Sequence, residues 1–196
     1  MSERNIAVVL FDEVEVLDFA GPFEVFSVAG SLGPDNPFSV YTVAEDQRVI
    51  YARGGLQVVP HYTLANCPPP DIVVVPGGYG TRRQMKNPVL LKWLQEQAGR
   101  VELLTSVCTG SLVLGSAGLL DGLPATTHHE ELDLLASISP AITVIRDTRY
   151  VDNGAIITSA GVQAGMDMAL HVVARLLGDD VARATAENIE YRWSDS

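Results

Sequence analysis

With 196 residues, 47% of them apolar and 19% charged, the chain has the material for one domain, 1–196, with a sizeable core. A formal net charge of −11 with no compensating Lys/Arg cluster argues against a nucleic-acid partner. No apolar run is long enough for a membrane span, M-S-E-R-N leads into a strand and not a signal region, and two distant cysteines make a poor disulfide framework, so the expected compartment is the reducing cytoplasm.

Residues 6–11 (I-A-V-V-L-F) are a near-continuous apolar run, the pattern of a strand covered by helices on both faces. After a polar turn at 12–15, L-D-F-A-G-P opens a helix expected over 22–29. Pro22 suits its first turn, Phe23, Val25, Phe26 and Ala29 form its apolar face, and Gly30, Gly33 and Pro34 end it. A second strand is expected at 38–44, then a small hairpin within 49–60 around Gly54-Gly55. D-I-V-V-V-P (71–76) reads as a buried strand ending in Gly77-Gly78-Tyr79-Gly80, and 88–99 as an amphipathic helix.

The strand at 101–106 then runs into Cys108 and a small-residue helix at 110–117. Beyond it, 124–127 reads as a short strand and 130–136 as a helix. Residues 141–145 and 149–151 resemble an antiparallel pair, and 155–158 is the last central strand. Two helices, 166–177 and 181–191, broken at Gly178-Asp179, close the chain. Strands repeatedly followed by helices predict an open α/β sheet with helices on both faces. In such sheets the working crevice lies beyond the C-terminal strand ends, where 12–18, Gly77-Gly78, Cys108 and 159–161 can converge.

Cys108 falls where a strand turns into a helix. The amides and field of that helix start favour a thiolate, so the position predicts a reactive thiol; the competing reading is a small buried hydrophobe. Cys67, beside three prolines, reads as a loop or packing residue. Asp18 is either a helix cap or a proton carrier beside the sulfur, its pKa raised by burial and like charge; Glu15 and Glu24 compete for that role. His128 either orients the thiol or is a loop histidine satisfied by backbone. His128-His129 with Glu130-Glu131 has no metal-ligand spacing, and Gly77-Gly78 is not a dinucleotide fingerprint, so neither metal nor cofactor is expected. The N–H groups of Gly78 and Thr109 are the expected oxyanion hole, with Gly77 beside them and Phe19 or Tyr79 as pocket walls. Gly161 and Gly165 imply close helix packing.

L-D-F-A-G-P-F-E-V-F (17–26), V-V-P-G-G-Y-G (74–80), T-S-V-C-T-G-S-L-V-L-G (105–115), A-T-T-H (125–128) and I-T-S-A-G-V-Q-A-G-M-D-M-A-L (157–170) together resemble the ThiJ/PfpI superfamily of class I amidotransferase-like proteins, nearest its isonitrile hydratase branch. The resemblance implies a flavodoxin-like three-layer sandwich, a homodimer, Cys108 as nucleophile on an elbow, Asp18 as its acidic partner, and Thr109 steering substrate or water. His128 matches a histidine found near the cysteine in several branches. His129 stands where related branches commonly carry tryptophan, and the chain lacks both the hydratases' longer tail and the helix-turn-helix portion of regulators built on the same domain. The implied activity is hydration of a small-molecule isonitrile to an N-substituted formamide through a cysteine thioimidate. A cysteine hydrolase or glyoxal-directed enzyme leaning on His128, and a non-catalytic ligand or redox sensor, are the alternatives.

Overall fold

The N-terminal apolar run becomes β1 (Arg4–Val9), from which the sheet grows in both directions; Ile6, Ala7 and Val8 are fully buried. The computed structural model describes residues 3–32 and 36–193. The chain passes through α1 (Val16–Leu32) to β2 (Phe38–Ala44), a parallel neighbour of β1. It makes an antiparallel pair, β3 (Ile50–Tyr51) with β4 (Gln57–Val58), and adds the edge strand β5 (Tyr62–Thr63) beside β2. β6 (Ile72–Val75) returns to the other side of β1. The short α2 (Thr81–Gln84) and α3 (Pro88–Ala98) lead to β7 (Leu103–Ser106), and α4 (Gly110–Ser116) follows.

The remainder comprises β8 (Pro124–Ala125), α5 (Leu132–Ile138), β9 (Thr143–Val144), β10 (Tyr150–Asp152), β11 (Ile156–Ser159), α6 (Ala164–Leu177) and α7 (Asp179–Asn188). Among the described residues the main sheet has seven strands in the order β10-β11-β7-β6-β1-β2-β5, with only β10 antiparallel to its neighbour. Because β1→β2 and β6→β7 run across the sheet in opposite directions, right-handed crossovers place their helices on opposite faces. α1, α6 and α7 pack together as one layer, and α3, α4 and α5 as the other. The result is the flavodoxin-like sandwich. No described helix is long and apolar enough to cross a membrane.

One helix and one expected strand pair differ from the sequence pattern, and β5 and α2 fall where it assigned no element. α1 begins at Val16 and holds Pro22 inside it, not in its first turn. Proline there forfeits the bond to the Asp18 carbonyl, but Val25, Phe26 and Ala29 are fully buried, and tertiary packing outweighs that local cost. Gly30 lies within this helix, while Gly33 and Pro34 lie outside the described residues. The segments 141–145 and 149–151 do not pair with each other. β9 runs parallel to β8, and β10 joins β11 at the sheet edge. A short isolated hairpin is marginal in water, whereas each segment here meets a strand already in place.

Register brings the ends of the central strands to one level: Val8 pairs with Val74, Val75 with Ser106, and Ser106 with Thr158. The chain leaves β1 in one direction and returns on its other side at β6, so the crevice between them is the topological switch point. Asp18, Gly77, Cys108 and Val162 each follow one of four consecutive strands, β1, β6, β7 and β11.

Candidate active site

Cys108 sits between β7 and α4 with φ +54°, a left-handed conformation that a non-glycine residue adopts at a cost of about 1–3 kcal/mol. Surrounding bonds hold it there. Its N–H lies 3.1 Å from the carbonyls of both Ser159 and Ala160. Its own carbonyl accepts from Thr127 Oγ1 at 2.9 Å and Ser111 Oγ at 3.2 Å. The side chain is buried, with 6% of the residue exposed, and the N–H groups of Thr109 and Val162 face the sulfur.

Asp18 lies in the first turn of α1 and is fully buried. It is not a helix cap: its Oδ2 reaches across the crevice to accept from Gly77 N–H at 3.0 Å. Oδ1 has no hydrogen bond of normal geometry, and the groups facing the carboxyl are the Cys108 thiol and Val162 N–H. Burial pushes the Asp18 pKa up to about 7, against the pull of the Gly77 amide and with a further push from Glu15. Burial likewise drives the Cys108 thiol up to about 12, with the Asp18 charge acting in the same direction. The Thr109 and Val162 amides pull the other way and lose. The expectation that the helix start favours a thiolate is therefore corrected: desolvation dominates, and the resting sulfur carries its proton.

The expected oxyanion hole also changes. Gly78 N–H already donates to Thr109 Oγ1 at 2.9 Å and is not open to a substrate. The second amide beside the sulfur belongs to Val162, a β-branched residue at φ +49° that propensity would never place there. Nothing in S-A-G-V-Q marks it except its position after the last parallel strand.

Around these groups lies a cavity of about 90 Å³ reaching Cys108, Thr109, His128 and Val162. Its mouth is charged. Arg53 pairs with Glu15 at 2.6 Å and lies over the exposed Tyr79 ring, 5.0 Å from its centre; Arg82 pairs with Glu131. Phe19 is in the core and does not line this cavity, because α1 turns that face onto the sheet. Glu15 is committed to Arg53 and Glu24 is exposed, leaving Asp18 as the carboxyl at the sulfur. His128 lines the cavity, but its Nδ1 accepts from Glu130 N–H at 3.3 Å and its ring packs on His129. No hydrogen bond joins His128 to Cys108 among the described residues. Cys67 faces the Leu64 carbonyl at 3.8 Å as a half-buried packing residue.

A mostly parallel α/β sandwich carrying a buried cysteine on a strained strand-to-helix turn, with a carboxyl against it, defines a class of protein. The chain belongs to the DJ-1/PfpI family, whose pattern it matches over residues 4–175. The isonitrile hydratase of Pseudomonas putida is 40% identical over 187 residues, 95% of this chain and 78% of that protein. The HTH-type transcriptional regulator GbdR of Pseudomonas aeruginosa is 32% identical over 188 residues, and this chain spans 51% of its length and 96% of its own. A THiJ/PfpI family protein from Pseudomonas syringae superposes with a TM-score of 0.87 at 34% identity, covering 99% of this chain and 77% of that one. Its relatives thus include an enzyme and a regulator.

Proposed function

We propose that the protein hydrates a small isonitrile to an N-substituted formamide through a thioimidate on Cys108. The observation that carries this reading is the Asp18–Cys108 pair, which above pH 7 holds a single proton between a buried thiol and a buried carboxylate. Asp18 takes the thiol proton as sulfur bonds to the terminal carbon of R–N≡C, then passes it to that carbon, giving R–N=CH–S–Cys108. The thiol proton alone satisfies the addition, so no leaving group and no second base are needed. Water then adds to the imidate carbon, a proton reaches nitrogen, and the C–S bond breaks to release R–NH–CHO and restore the thiol. Charge that develops at the sulfur meets the Thr109 and Val162 amides. The 40% identical isonitrile hydratase supports the same substrate class.

The test is hydration of p-nitrophenyl isocyanide by the purified protein, followed as formamide formed. Cys108→Ala is expected to lose at least about 10³-fold in kcat/KM. Undiminished turnover by that variant would remove the reading.

Hydrolysis or glyoxal chemistry through the same thiol would lean on His128 as base. Its Nδ1 faces Glu130 and not the sulfur, so His128→Ala is expected to keep turnover within about threefold, well short of the loss that follows removal of a general base. A large drop would favour that hydrolytic route instead. The regulator relative favours a second reading, ligand or redox sensing without turnover, which the same assay separates by the absence of product.

A further inference from the structure

Thr81, the first residue of α2, is fully buried yet polar, and all of its hydroxyl contacts lie next to the cysteine loop. Its Oγ1 donates to the Gly78 carbonyl at 2.7 Å, which uses its only proton. The same oxygen accepts from Arg82 Nη1 at 3.3 Å and lies 3.2 Å from Thr109 Oγ1. Thr109 Oγ1 in turn accepts from Gly78 N–H at 2.9 Å. The Thr109 proton then has two acceptors in reach, Thr81 Oγ1 at 3.2 Å and the Gly78 carbonyl at 3.3 Å. Both are long for O–H···O bonds, and the carbonyl is already held by the shorter bond from Thr81. The Thr109 oxygen is thus fixed while its proton is loosely held, beside the cavity that Thr109 lines.

Removing the Thr81 oxygen changes that balance. The half-buried Gly78 carbonyl loses its short donor and keeps the longer bond from the Thr81 N–H at 3.2 Å. The Thr109 hydroxyl at 3.3 Å becomes the nearest hydroxyl able to take the vacated lone pair. Thr109 would then both accept from and donate to Gly78, a closed pair with no proton left to donate to a ligand. We propose that Thr81 is a positioning residue: by occupying the Gly78 carbonyl it keeps the Thr109 hydroxyl free to hold the water that releases product from Cys108. The release step rests on the covalent mechanism proposed above. Water oxygen bonds to the carbon attached to sulfur, a water proton moves to the nitrogen through Asp18, and the C–S electron pair returns to sulfur with a proton.

Two kinetic arms test this. With p-nitrophenyl isocyanide, Thr81→Val is expected to slow breakdown of the Cys108 adduct about tenfold, so that kcat and KM fall together, kcat/KM stays within about twofold, and intact-protein mass spectrometry finds the adduct accumulating during turnover. Thr81→Ser is expected to restore the wild-type values, and Thr81→Val is expected to add no further loss to Thr109→Val. A variant damaged only in its fold would lose kcat/KM with no adduct, and that outcome overturns the proposal. The second arm is independent of isonitrile chemistry: Cys108 is acetylated with p-nitrophenyl acetate and loss of the acetyl group is followed by mass. Equal deacylation rates in wild type and Thr81→Val overturn the proposal even if isonitriles are not substrates. Slow deacylation in Thr81→Val, rescued by serine, sustains it when the isonitrile reading fails. Thr81→Ala, which deletes the same oxygen and leaves space, serves if the valine variant does not fold.

Discussion

Asp18→Asn is expected to abolish most turnover and, at pH 8, to make the protein more stable. Both effects come from one fact: the Asp18 pKa is about 7 in the folded chain, against 3.8 for the ordinary side chain, because burial penalises its charge. Below about pH 4 the carboxyl is neutral in both folded and unfolded chains, so it sets no difference between the two proteins. As pH rises from 4 to 7, the unfolded wild type ionises and is stabilised while the folded form still holds the proton, and wild-type stability declines. Above pH 7 the loss levels off at on the order of 4 kcal/mol. Asparagine keeps an oxygen for the Gly77 N–H and carries no charge, so urea unfolding at pH 5 and pH 8 should find the variant's advantage growing with pH. Turnover moves the opposite way. Wild-type kcat/KM is expected to rise with pH about a midpoint near 7, as Asp18 becomes able to take the thiol proton. Asn cannot take it, and the loss is expected at about 10²–10⁴-fold with that midpoint gone. An asparagine variant that turns over normally, or that is less stable than wild type at pH 8, would contradict the proton-carrier role.

The cysteine turn and the strands that build it were legible because their signals are local. β1 from Ile6 onward and β6 are buried on both faces and appear as unbroken apolar runs. β7 (L-L-T-S) is a short buried strand that carries Thr105 and Ser106, and Cys108 stands where it gives way to Gly110 and a small-residue helix. Asp18 could be placed near the sulfur because it follows the strand at the switch point. What was not legible depends on packing. The thiol's protonation is set by desolvation, which sequence position does not report, so a helix start alone pointed to the wrong ionisation. Val162 is invisible because a β-branched residue in a left-handed conformation runs against its own propensity and is held there by the fold. The Gly78–Thr109 bond spans 31 positions and closes a loop whose glycines fit several roles. Pro22 misled for a related reason: its local preference for a first turn was overruled by the buried face of α1.

Gly77→Ala is expected to be among the most damaging single-methyl changes in the chain. Gly77 does not need glycine for its dihedrals; it needs it for space. A Cβ there would lie 2.6 Å from Thr109 N, 2.7 Å from Asp18 Oδ2 and 2.7 Å from Thr109 Oγ1, all inside the distance at which carbon tolerates a neighbour. None of the three can yield cheaply. Thr109 N opens the turn before α4, the Asp18 carboxyl is bound to Gly77's own N–H, and Thr109 Oγ1 is held by Gly78. Overpacking of this kind costs about 1–3 kcal/mol of stability. The functional loss is expected to exceed what that figure implies, because the methyl would separate Asp18 from Cys108 and let the carboxyl meet water. Two readouts distinguish this from general damage. The residual activity should titrate with a midpoint below 7, since a solvated Asp18 no longer pays the burial penalty that raised it. Gly99→Ala, at the end of α3 with φ −86° and nothing within 4 Å of the new methyl, should leave activity unchanged and stability equal or slightly higher. If Gly77→Ala behaves like Gly99→Ala, the crevice is looser than its contacts imply, and the tight apposition of carboxyl and sulfur on which the proton transfer depends does not hold in solution.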